Sequence, residues 1–187
     1  MKYTAITLSV FSLFVILQNT SCMHGNKYVK ETQMLDSMQT IVGKADSAVK
    51  TIDSVRITGY AIHVMEDDQL IQMTHTDSMS PAATAIFRNF NGVRWSLLTV
   101  AGKRGPLLAE LGKSKMQLNH LSHDIQHNLV AADSVGFYVA FETRKASELI
   151  QVSDISVSEV NKQLPQYAAL APKADSLISL LKNHKKI

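Results

Sequence analysis

A chain of 187 residues, 45% hydrophobic and 19% charged, is long enough for one domain with a real core and is neither a disordered tail nor a membrane channel. Lys and Arg exceed Asp and Glu by only three charges and are intermixed with them, so the basic stripe of a nucleic-acid track is missing and no nucleic-acid partner is expected. Plentiful Leu, Ala, Met, Gln, Glu and Lys beside 6% aromatics favour helices over sheets.

The N-terminal stretch MKYTAITLSVFSLFVILQNTSC has one early Lys, an apolar run from Ala5 to Leu17, and then small polar residues. That order is the order of an export signal, and the run is too short and wrongly flanked for a membrane span. Asn19, Thr20, Ser21 and Cys22 resemble the end of a bacterial lipoprotein signal, with Asn19 where that class usually carries a Leu-like residue. The resemblance covers about residues 1–22. It implies removal of the peptide before Cys22, diacylglycerol on the Cys22 thiol, and a bacterial envelope location with secretion as the alternative. Cys22 is the single Cys, so an exported chain has no internal disulfide framework. The expected organisation is a signal peptide over 1–21, an anchoring tether over 22–29 and a single helical domain over 30–187.

From Tyr28 to about Val55, the apolar residues Leu35, Met38, Ile41, Val42, Ala45, Ala48, Val49, Ile52 and Val55 step by three and four along one helical stripe. A helix of that length needs a long partner. The next segment, RITGYAIHV–EDDQ–LIQMTHTD, reads as a continued or second helix, with a small hairpin around residues 56–76 as the alternative. SMSPAAT marks a break and places Pro81 at a helix start. Ile86, Phe87, Phe90, Val93, Leu97, Leu98 and Val100 follow on one buried side, with Asn91–Gly92 as a candidate turn. GKRGP at 102–106 reads as a boundary, with a new element starting at Pro106. A second long stripe then runs through Leu108, Leu111, Leu118, Leu121, Ile125, Leu129 and Ala132, and on toward Leu149 with Gly136 as a bend. Leu164–Pro165 and Ala171–Pro172 read as stops before a short terminal helix carrying Leu177, Ile178 and Leu181. The fold expected is all-α, an elongated bundle of four or five helices.

The stretch LNHLSHDIQHNL puts His120, His123 and His127 at helical spacing on the face opposite Leu118, Leu121 and Ile125. Two imidazoles four residues apart can hold zinc or copper, with Asp124 in reach, but a solvated polar face is the simpler reading. Asp124 also stands where a His-Glu-x-x-His protease would need Glu. His63 and Met65 mirror Met73 and His75, a soft donor set for copper that requires the hairpin in order to converge. Lys103 and Arg104 in GKRGP could attract an anion at a helix start. Gly112-Lys113-Ser114 imitates the end of a P-loop, yet Leu107 occupies the position that needs Gly. No Gly-x-Ser-x-Gly occurs, so the usual nucleophilic constellation is missing. The tripeptide Asp-Ser-apolar recurs six times, as at Asp36-Ser37-Met38 and Asp175-Ser176-Leu177, and amphipathic helices account for it.

These readings point to a lipid-anchored helical interaction or structural module of the bacterial cell envelope. Its partners would be membrane lipid through Cys22 and an envelope protein or a second copy, with no resident cofactor expected. A metal- or small-ligand-binding envelope protein is the first alternative, and an enzyme of unidentified class the second.

Overall fold

The computed structural model describes residues 27–62, 64–73 and 79–184. They form helices α1 (Val29–Lys50), α2 (Ser54–Ala61), α3 (Val64–Met73), α4 (Pro81–Gln126) and α5 (Val135–His184), with no strand among the described residues. The all-α expectation holds. The small hairpin around 56–76 does not form, because local caps and burial outweigh the β-favouring residue types. The Asp53 side chain accepts the Arg56 N–H at 3.0 Å and starts α2, which then buries Ile57.

The first stripe breaks earlier than its periodicity implies. After Lys50, the Thr51 and Ile52 amides donate to Ala48 and Val49, closing α1 with a tightened turn. Ile52 is buried, whereas Val55 is 83% exposed, so the Asp-Ser-apolar pattern at 53–55 is a helix cap and not an amphipathic step. Ile41, counted in the stripe, is also exposed.

Pro81 begins α4, as its spacing implies, with the Ser80 hydroxyl accepting the Ala83 N–H at 3.2 Å. The boundaries read at Asn91–Gly92, GKRGP, Leu164–Pro165 and Ala171–Pro172 are corrected: α4 runs through Pro106, and α5 runs through Pro165 and Pro172. All three prolines are exposed, so the carbonyls they leave without a helical donor can turn to water. An interior Pro costs about 3 kcal/mol, and fully burying one Leu or Ile returns about 1.5–3 kcal/mol. Leu97, Leu111, Leu118 and Ile125 are all fully buried along α4, so continuity wins.

The stripe expected to pass Leu129 and Ala132 ends at Gln126 instead, and both residues are exposed. Asn128 has φ 56°; its amide reaches Ile125 O at 3.2 Å, and the Leu129 amide reaches Asp124 O at 2.8 Å. This pair of bonds around a left-handed residue is a Schellman stop. Gly136 bends nothing; it lies in the first turn of α5.

Helices α4 and α5 run antiparallel, with Ser96 bonded to Glu159 and Phe87 packed with Ile178. Helix α1 is antiparallel to α4, since Asp36 meets Ser122 and Lys50 meets Arg104. Leu35, Val42, Ala45 and Val49 enter the core between them. The architecture is therefore a three-helix bundle on an α4–α5 pair, with α1 supplying the third layer at one end and α2 and α3 lying against α4 further along. Beyond them a smaller cluster of Phe87 and Ile178, flanked by Met79, Leu177 and Leu181, closes the far end.

Candidate functional site

His120, His123 and His127 are all exposed, while Leu118 and Ile125 of the same helix are fully buried. The face separation is that of the sequence reading. The His123 and His127 rings stack with centroids 4.0 Å apart, and His127 Nδ1 lies 2.8 Å from the His123 carbonyl, to which it donates. His123 Nδ1 sits 3.3 Å from the carboxylate of Asp124. Among the described residues, no three His, Cys, Asp or Glu side chains are placed to hold a metal ion together.

The soft donor set requires a hairpin, and residues 64–73 form a helix instead. Met65 is exposed near the start of α3 and Met73 ends that helix, eight residues on, about 12 Å along its axis. His63, His75 and the Met73 side chain lie outside the described residues, as do Cys22 and the signal segment. The anion reading at Lys103 and Arg104 needs a helix start, whereas both lie well inside α4. Arg104 occupies a core-facing phase between Val100 and Leu107, and its guanidinium donates to the Lys50 carbonyl at 3.2 Å. There it satisfies an orphan acceptor where α1 ends and complements the negative end of that helix.

Two arrangements stand outside the sequence reading. Arg94 is only 3% exposed; its Nη1 donates to Asp67 at 2.7 Å and its Nε to the Tyr60 carbonyl at 3.0 Å. Its guanidinium also lies over the Phe90 ring, and Tyr167 stacks on both Tyr60 and Phe90. Asp175, Ile178 and Lys182 complete an open cavity of about 200 Å³ there. Burial raises the Tyr167 phenol above its ordinary value, with Arg94 pulling the other way. Because Arg94 is neutralised by Asp67, this cluster fastens α2 and α3 to α4 and leaves little charge for a ligand. The signal for it was a single Arg in phase with Phe87, Phe90 and Leu97.

The second arrangement is a groove of about 340 Å³ between α4 and α5. Leu149 and Val152 line it with Ser114, and Glu110, Gln117, Lys145 and Glu148 form the polar margin. The Ser114 hydroxyl is buried and has no hydrogen-bond partner. Val152 is 47% and Ile155, one turn on, 61% exposed, and no residue of α1 lines the groove. An apolar floor, charged edges and one unsatisfied hydroxyl suit a contact surface better than bond-making chemistry. The periodicity of α4 alone hides this groove, since it arises only where α5 crosses.

Comparison with protein-family models, with curated proteins and with solved structures finds no match in any of the three. Among the described residues, no helix is long and apolar enough to cross a membrane.

Proposed function

We propose that the protein is a lipid-anchored helical interaction module of a bacterial envelope, held to the membrane through Cys22 and contacting its partner along the α4–α5 groove. The anchor is supported by the signal-like first 22 residues and by Cys22 being the only Cys. The contact role is carried by the groove, whose Leu149–Val152 floor lies open between charged edges on a rigid helix pair. An apolar surface of this kind gains free energy when a second surface covers it.

Two measurements test the reading. The mass of the N-terminal peptide from membranes should show lipid on Cys22, and Cys22→Ser should release the protein; an unmodified Cys22 ends the anchoring part. For the groove, a photo-crosslinking residue at Gln117 should give a discrete adduct in intact cells. The same residue at the exposed Val55 position should give none. Val152→Asp should abolish the Gln117 adduct while leaving the helical circular dichroism unchanged. Adducts of equal yield at both positions, or an adduct indifferent to Val152→Asp, would remove the groove as the contact surface.

A further inference from the structure

We infer that the first three turns of α5 form a membrane-contacting face that lays the tethered end of the bundle onto the bilayer interface. The inference rests on the lipid-anchor reading, and its occupant is a phospholipid surface.

The chain itself fixes which end is near the membrane. Lys27 is five residues after Cys22, a reach of at most about 18 Å. Tyr28 packs on the main core, and α1 begins at Val29. Since Asp36 of α1 lies against Ser122 of α4, the start of α1 is level with the turn at 127–134 that joins α4 to α5. A lipid on Cys22 thus holds this end of the bundle close to the headgroups.

At this same end the protein exposes several large apolar groups. Phe137 is 67% exposed, Tyr138 and Leu129 are also exposed, and Val29 joins them from α1. Phe137 stacks on Phe141 at 6.2 Å and meets Tyr138 edge-on at 5.6 Å. Phe137, Ala140, Phe141 and Arg144 enclose an open hollow of about 230 Å³ along one helix face. The cations Arg144 and Lys145 both lie over the Phe141 ring, at 5.8 and 4.7 Å. Aromatic rings with Arg and Lys at their edge suit the boundary layer, where rings sit among headgroups and cations meet phosphates. Glu142 lies within these turns and Asp133 and Glu148 flank them, so ring burial carries the contact and net charge adds little. The two acyl chains of a diacylglycerol already hold the chain at the membrane, so what the ring contact adds is the orientation of the bundle on the bilayer.

The test uses the full-length lipidated protein in phosphatidylethanolamine–phosphatidylglycerol vesicles. With Cys22 acylated, Ala140→Cys supplies a single free thiol inside the patch, which takes a nitroxide label without removing any ring. Val55→Cys serves as the comparison. At position 140, collisions with an aqueous nickel chelate should fall severalfold relative to position 55, and collisions with oxygen, which partitions into lipid, should rise. Adding Phe137→Ser should return the label to water. If the Cys22 mass shows lipid but the label at 140 is as chelate-accessible as at 55, the membrane face is refuted and the anchor stands. A label shielded from both chelate and oxygen signals a protein contact and refutes it too. An unmodified Cys22 fails the anchor reading first, and this inference with it.

Discussion

Asn128 decides where the longest apolar stripe of the sequence stops. At φ 56° it sits where an L-residue with a branched side chain is strained and Gly is at ease. Asn128→Gly should raise the unfolding free energy by a few tenths to about 1 kcal/mol, and Asn128→Val should lower it by about 1–2 kcal/mol, read as shifts in the urea midpoint. Glu159 controls stability differently. The Ser96 hydroxyl, then the Gln163 amide, hydrogen-bond its carboxylate and hold its pKa below the ordinary 4.5, against a smaller opposing effect of burial. A depressed folded-state pKa means the contribution is complete above 4.5 and is lost as the pH falls through the lower value. Ser96→Ala should therefore lower the melting temperature at neutral pH and shrink its fall between neutral and strongly acidic conditions. An acid profile unchanged by Ser96→Ala would show that this hydrogen bond carries none of the effect.

Among the elements, α3 is tied to α4 by a buried ion pair between Asp67 and Arg94 and by a hydrogen bond from Asn91 to Asp68. Asp67→Ala leaves the Arg94 guanidinium enclosed, with only the Tyr60 carbonyl and the Phe90 ring for company. That variant should lose about 3 kcal/mol in urea unfolding, and adding Arg94→Met should recover most of it, because an apolar side chain of similar bulk needs no counter-charge. This pair also marks a limit of reading by periodicity. Arg94 shares the phase of Leu97 and Phe90, yet its charge argues for the surface. Arg104, in GKRGP, reads as a free surface cation, although its phase between Val100 and Leu107 points inward. Prolines misled for a related reason. Their cost is local and visible in the sequence, whereas the burial that outweighs it depends on partners more than 40 residues away, as between Ser96 and Glu159.

For the whole molecule, the helical class and the buried stripes were legible because a 3.6-residue period survives whatever the topology. Leu35, Val42, Val49, Leu111, Leu118 and Ile125 are inside as their spacing requires. The number of layers was not legible, since α1 and α2 follow one another along the same α4–α5 pair and so do not each add a layer. Neither was the groove, which no single helix carries. Helix α5, with 50 residues, is about 75 Å long. Small-angle scattering should thus give a radius of gyration of about 20 Å or more, where a compact globule of similar length has about 15–16 Å. A value near the compact one would mean that the α4–α5 pair folds back at its prolines.

The Schellman turn at Asn128 also bears on how the chain finds this arrangement. Ile125 and Val135 both enter the core on either side of a short loop, so pairing of α4 with α5 can begin there and zip outward at small entropic cost. Helix α1 is synthesised before α4, but the Asp36 carboxylate must wait for the Ser122 hydroxyl that donates to it, 86 residues later. Until then its apolar stripe has nothing to close upon. The hairpin made last thus becomes the template on which the earlier helix settles.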